Sequence, residues 1–272
     1  MKSESVAPSL PKFRSRLSPE QMDFWKQNDY LQISSYFDLQ ETRKMIDWVE
    51  EIAHWPVAKG KYLNYYEMID NQPHLSRTEN FLPYHPEFGA FIRSSGIFEI
   101  VAEILGEPVM LFKEKINYKY PGTGAYPPHQ DVHAYDTSPY AFQPYHRNVT
   151  IFLDEATEEN GCMELGWGYP KNTVLGRHPN GALLDDEVQK LDWRPIPCPA
   201  GSVFIFDMYW PHLSRLNNSR LPRRSIFMTF NGISKGDLRE AHYRDRTSSK
   251  PNSREIKSNL VTQTKLFANK KS

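Results

Sequence analysis

The order in which two hydrophobic periodicities appear constrains this chain more than any other feature. Up to Gly106 apolar residues recur at helical spacing, whereas from Val109 onward the pattern becomes short strands broken by Pro, Gly and Asn. Helices first and strands afterwards imply helices supporting one face of an antiparallel barrel or sandwich. The expected fold class is mainly β with supporting α-helices: a double-stranded β-helix, or jelly-roll barrel, of the cupin-like kind.

Local signals fill in this outline. Ser18-Pro19-Glu20-Gln21 combines a capping serine, proline at the first helical position and glutamine three residues after the cap, so a helix runs to about Asn28. Tyr30-Leu31-Gln32-Ile33 alternates as a strand. A second capped helix starts at Asp38 and puts Leu39, Ile46, Val49 and Ala53 on one face, and a third covers 87–105 with Gly106 as its stop. Strands are expected at 109–120, 148–153, 201–206 and 223–230. The Pro- and Gly-containing region 165–199, with its run Asp185-Asp186-Glu187, reads as an irregular insertion at the mouth of the barrel. In domain terms, a flexible N-terminus (1–17) precedes a single domain (18–245). This domain divides into helical support (18–106) and jelly-roll core (107–235), and a polar, basic tail (246–272) follows.

Composition narrows the partners. Lys plus Arg and Asp plus Glu each number 33, so no net field draws nucleic acid or an anionic membrane, and a small-molecule substrate is expected. No run approaches the roughly 20 apolar residues of a membrane span. Residues 1–16 lack the apolar centre of a secretory signal, which points to a cytoplasmic address. Cys162 and Cys198 are too few for a disulfide framework and read as small buried hydrophobes.

The chemistry concentrates in two places. His129 and Asp131, two residues apart, face the same side of an extended chain and can grip one metal ion together. His212 follows a strand and brings a third ligand from another strand end. Two imidazoles and one carboxylate hold a divalent iron on one face and leave the opposite face open. His133 is an alternative to His129. In the strand beginning at Arg223, alternation puts Arg223, Ser225, Phe227 and Thr229 on one face with no acidic residue among them. A guanidinium inside a barrel calls for an anion, either a glutamate from elsewhere in the core or the carboxylate of a ligand. Lys113, Lys115, Asn117 and Lys119 likewise share one face of their strand, which is either solvated or turned into the barrel. Tyr118, Tyr126, Tyr135 and Tyr145 are aromatic candidates for core or rim.

Taken together, His129-x-Asp131, Asn160-Gly161-Cys162-Met163-Glu164, Gly201-Ser202 leading to His212, Asn217-Asn218-Ser219 and Arg223-x-Ser225 resemble the phytanoyl-CoA dioxygenase superfamily of iron(II)- and 2-oxoglutarate-dependent oxygenases. The resemblance implies that His129, Asp131 and His212 form the catalytic metal centre for Fe(2+). It further implies that Arg223 with Ser225 binds the distal carboxylate of 2-oxoglutarate, and that Asn117 touches its other end. O2 would be the second co-substrate, with succinate and CO2 released. Halogenating members lack the carboxylate ligand, so Asp131 implies hydroxylation. Gly166-Trp167-Gly168-Tyr169-Pro170-Lys171 departs from the Pro-Gly-Ser-His-like turn of many relatives. The strand from Phe112 to Asn117, Tyr65-Tyr66-Glu67 and Arg77-Thr78-Glu79-Asn80-Phe81 are similar to bacterial 2-aminoethylphosphonate hydroxylases. That similarity implies a phosphonate paired by Lys113, Lys115 and Arg77, and an amine met by Glu79. Two alternatives stand beside it: a tailoring oxygenase for a larger apolar natural product, and a non-catalytic cupin-like metal-binding module.

Overall fold

The computed structural model describes residues 16–58, 60–69, 71–135, 146–249 and 253–256. The readings made for residues 1–15, for the Tyr135 side chain, for Tyr145 and for the end of the tail lie outside them. The first helix, α1 (Pro19–Asn28), begins with the expected reciprocal cap between Ser18 and Gln21. Strand β1 (Tyr30–Ile33) and helix α2 (Leu39–Ala53) follow, the latter capped by Asp38 and Glu41. The buried stripe of α2 is Thr42, Met45, Val49 and Ile52. Leu39, expected on the core face, is 87% exposed, because the stripe is rotated by about one residue and leaves the first helical position in solvent.

Two further departures occur before Gly106. Strands β2 (Leu63–Ile69) and β3 (Gln72–Glu79) form an antiparallel hairpin in a region that reads as helical support. Its tight turn carries Asn71 at φ 62°, a conformation that asparagine tolerates. The expected single helix at 87–105 is two helices, α3 (Pro86–Arg93) and α4 (Ile97–Leu105), broken at Gly96, whose φ of 86° no helix accommodates.

The remaining strands are β4 (Val109–Lys119), β5 (Tyr126–His129), β6 (Arg147–Phe152), β7 (Met163–Trp167), β8 (Asp192–Ile196), β9 (Val203–Asp207), β10 (His212–Ser214), β11 (Arg223–Gly232) and β12 (Ser253–Ile256). Helix α5 (Asp185–Lys190) precedes β8, so the region read as an irregular insertion contributes a helix and a paired strand. Helix α6 (Arg239–Ser249) leads to β12, which pairs in parallel with β2. The strands form an eight-stranded sheet, β1-β9-β6-β11-β4-β3-β2-β12, and a four-stranded sheet, β5-β10-β7-β8. Among the described residues no ladder joins the two, so the expected jelly roll is laid out as two separate sheets.

The large sheet has two different faces. Ile116 and Tyr118 of β4, Val149 and Ile151 of β6, Val203 and Ile205 of β9, and Ile226 and Met228 of β11 belong to the same buried cluster as Met45, Val49, Phe88, Ile92 and Val101 of the helices. At about 1.5–3 kcal/mol per fully buried side chain, this outer layer supplies the main folding force. The inner face, turned toward the small sheet, can therefore carry polar groups.

Candidate active site

Strand pairing assembles the site from segments far apart in the chain. His129 ends β5 and stands in register with His212 at the start of β10, which puts the two rings 4.1 Å apart between centroids. Asp131 opens a short turn whose Val132 N–H donates to the Met208 carbonyl. One potential ligand atom from each of His129, Asp131 and His212 lies within 4.8 Å of the others, and among the described residues this is the one such grouping. His133 is not part of it. The Nδ1 atoms of His129 and His212 donate to the carbonyls of Pro127 and Trp210 at 2.8 and 2.9 Å. A carbonyl only accepts, so each Nε2 keeps its lone pair, and these atoms lie 4.0 and 3.9 Å from the Asp131 carboxylate.

Electrostatics holds the three groups in ligand form. Burial, followed by the neighbouring His212, pushes the His129 imidazole down to about 3, and burial lowers His212 as well. For Asp131, burial alone would raise the carboxyl, but the charges of His212, Lys113, His129 and Lys115 outweigh it and hold the group well below the usual carboxylate range.

Three residues to which the sequence reading gives no role support the site. Asn148 donates to Asp131 Oδ2 at 2.8 Å and is itself oriented by the Thr229 hydroxyl at 2.9 Å. Gln130 points away from the metal side; it donates to the carbonyls of Thr173 and Tyr209 and accepts from the Leu175 N–H at 2.8 Å. With the Leu183 N–H donating to Pro128, it ties the 165–199 region to the ligand turn. Asn217 donates to the carbonyls of Lys119 and Leu221 and so shapes the approach to Arg223.

Arg223 is 5% exposed on the inner face beside Ser225, and no carboxylate among the described residues pairs with it. Its Nη2 donates to the Gly161 carbonyl at 3.3 Å, Nη1 reaches the Ser225 hydroxyl at 3.5 Å, and Nε has no partner. Lys119, 2% exposed and opposite Arg223 in the ladder, donates to the same Gly161 carbonyl at 2.8 Å and to the Ser214 hydroxyl at 3.1 Å. Burial and the Arg223 charge push this ammonium well below its ordinary value. Neither Lys119 nor Ser214 stands out in the sequence as part of this end of the site. Asn117, whose Oδ1 is buried without a partner, lines one cavity with Arg223, Lys119, Lys115, His129 and His212. The polar face of β4 is therefore turned inward.

The residues expected to meet substrate lie on the same face. Ladder pairing sets Arg77 opposite Asn117 and Glu79 opposite Lys115. Arg77 and Glu79 are paired with each other at 3.3 Å. Lys115 stacks 4.9 Å from the centroid of Phe227, and Lys113 stands opposite Thr229. Tyr126 and Tyr118 both lie at the cavity wall, and Tyr118 also belongs to the core cluster on the helix side. Cys162 and Cys198 are buried, and burial pushes their thiols up to about 11 and about 12. Among the described residues no helix is long and apolar enough to cross a membrane.

A jelly roll bearing a two-histidine, one-carboxylate triad at the wall of a cavity has the architecture of the non-haem iron oxygenases. Comparison with known proteins agrees. The phytanoyl-CoA dioxygenase (PhyH) family model matches residues 25–225, and the chain belongs to that family. It is 35% identical over 233 residues to methylphosphonate hydroxylase of Gimesia maris, covering 86% of this chain and 88% of that one. It is 34% identical over 239 residues to a 2-aminoethylphosphonate dioxygenase from an uncultured bacterium, with 87% and 90% covered. Among solved structures it resembles EctD from S. alaskensis with bound Fe at a TM-score of 0.68 and 15% identity, over 94% of this chain and 85% of that chain. The same protein with 2-oxoglutarate and 5-hydroxyectoine matches at 0.66 and 15% identity, over 85% and 80%.

Proposed function

We propose that this chain is an Fe(II)- and 2-oxoglutarate-dependent hydroxylase of a small phosphonate. The observation that carries this reading is the meeting of two features at one cavity: the converging His129, Asp131 and His212, two of which line it, and the buried Arg223, which has no anionic partner among the described residues. The residues fit both groups. Each Nε2 carries a lone pair toward Asp131, as a divalent metal requires, and the orphaned Nε of Arg223 beside Lys119 calls for a carboxylate.

His129, Asp131 and His212 hold the iron, and Asn148 fixes the carboxylate among them. Arg223, Lys119, Ser214 and Ser225 bind the distal carboxylate of 2-oxoglutarate, and Asn117 meets its other end. The bound iron, with 2-oxoglutarate and O2, supplies the oxidation of a C–H bond, with succinate and CO2 released. The protein's part is to ligate, orient and exclude water. Lys113, Lys115 and Arg77 give the substrate side a positive character suited to an anion. That lining disfavours a large apolar substrate.

Support for a phosphonate comes from this cationic wall and from two relatives at 35% and 34% identity whose names state phosphonate substrates. The test is succinate formation from 2-oxoglutarate with Fe(II), screened over small phosphonates, amino acids and terpenoids. Stimulation by a phosphonate is expected; stimulation by an apolar compound alone would refute the reading.

A further inference from the structure

We propose that the substrate subsite selects an alkylphosphonate that carries no amine. This deepens the phosphonate reading above and rests on it. The two relatives, named for methylphosphonate and for 2-aminoethylphosphonate, are equally distant at 35% and 34% identity, so similarity does not separate them. The second substrate differs from the first by an aminomethyl extension that ends in an ammonium group, and the natural partner of that ammonium would be an available carboxylate. Glu79, on the inner face, is the residue whose position suggests that role.

Glu79 is already engaged through both of its oxygens. Its Oε1 lies 3.3 Å from Arg77 Nη1, and its Oε2 lies 3.3 Å from Arg246 Nη2 and accepts from the Tyr65 hydroxyl at 3.3 Å. Arg246 also donates to that hydroxyl at 2.6 Å, and the Arg77 guanidinium stacks 4.5 Å from the centroid of the Tyr65 ring. Two guanidiniums on one carboxylate leave the cluster with a net positive charge. The Nε atoms of both arginines are buried without a partner, so the cluster retains unused donors.

Arg246 is held in place by its own helix. Seven residues earlier on the same face of α6, Arg239 pairs with the buried Glu114 of β4 and donates to Asn80 at 2.8 Å. Lys115 adds a further cation across the ladder from Glu79, lines the cavity with His129 and His212, and has no ion-pair partner among the described residues. The carboxylate that lines the cavity itself, Glu67, accepts the Gly124 N–H at 3.2 Å beside Lys119, at the 2-oxoglutarate end.

A phosphonate held at Lys115 therefore stands beside the Arg77–Arg246 cluster as an anion among cations. An ammonium two carbons away meets those same cations and a carboxylate whose oxygens are both engaged. Discrimination here arises from repulsion as much as from attraction.

The test uses the full chain with Fe(II) and 2-oxoglutarate bound, in oxygen-free calorimetric titrations. The ligands are methylphosphonate, 2-aminoethylphosphonate and propylphosphonate, the last matching the amine in size without its charge. Methylphosphonate and propylphosphonate are expected to bind at least tenfold more tightly than 2-aminoethylphosphonate. R246M should weaken methylphosphonate binding tenfold or more and leave 2-oxoglutarate affinity unchanged. If 2-aminoethylphosphonate binds as tightly as propylphosphonate, the inference fails while the phosphonate reading stands. If no phosphonate binds, both fail.

Discussion

Replacing Arg223 by methionine should move two quantities in opposite directions. Without ligand, the guanidinium is a buried cation with no carboxylate partner among the described residues, an Nε without a hydrogen bond and two long contacts at 3.3 and 3.5 Å. Methionine keeps most of the packing stem and removes the charge, which also relieves repulsion with Lys119. The ligand-free R223M protein should therefore unfold at the same temperature as wild type or a higher one. In the proposed role 2-oxoglutarate supplies the partner of the guanidinium, and truncating one side of a buried charge pair costs about 2–5 kcal/mol. At about 1.4 kcal/mol per tenfold, that is roughly a 30- to 5000-fold loss of 2-oxoglutarate affinity. Differential scanning calorimetry with and without 2-oxoglutarate reads both effects in one experiment. A lower melting temperature for ligand-free R223M, with the ligand-induced stabilisation retained, would show that Arg223 is a structural ion-pair partner and refute the reasoning.

Other perturbations follow from the same geometry. N148A removes the donor at 2.8 Å from Asp131 Oδ2 and should weaken Fe(II) affinity about 10- to 100-fold, read by metal titration, with 2-oxoglutarate specificity unchanged. Burial, then the Arg77 charge, pulls the Lys115 ammonium down to about 8. An anion binds the protonated form, so phosphonate affinity should be full below pH 8 and fall as pH rises above it; in K115M this limb should vanish at a lower overall affinity. G161A puts a Cβ 2.3 Å from the Arg215 carbonyl and 2.6 Å from Lys119 Nζ at φ +69°, so both stability and 2-oxoglutarate affinity should drop, as thermal unfolding and ligand titration would show.

Much of this site is written in short-range patterns. The two-residue spacing of His129 and Asp131 and the alternation of β11 bring His129 near Asp131 and put Arg223 beside Ser225, because the side-chain period of a strand is fixed. What alternation leaves open is which face looks inward, and packing decides that. Ile116, Tyr118, Ile226 and Met228 are claimed by the helical layer, which turns Lys115, Asn117 and Lys119 toward the cavity. Lys119 and Ser214 join Arg223 only through the β4–β11 ladder and the approach of β10, contacts between residues roughly a hundred positions apart. The β2–β3 hairpin is hidden for a related reason. Its polar positions Arg77 and Glu79 contradict a half-buried strand unless they pair with one another and with Arg246, contributed by a helix far along the chain. Leu39 shows the opposite failure, an apolar residue in phase with a helix face that the stripe of Met45 and Val49 just misses.

The central claim, that His129, Asp131 and His212 form one metal centre, is tested most directly by oxygen-free titration of Fe(II) into the metal-free protein. One ion per chain is predicted for wild type and for H133A, and loss of that binding for D131A and H212A. Stoichiometric binding retained in D131A, or lost in H133A, would contradict it.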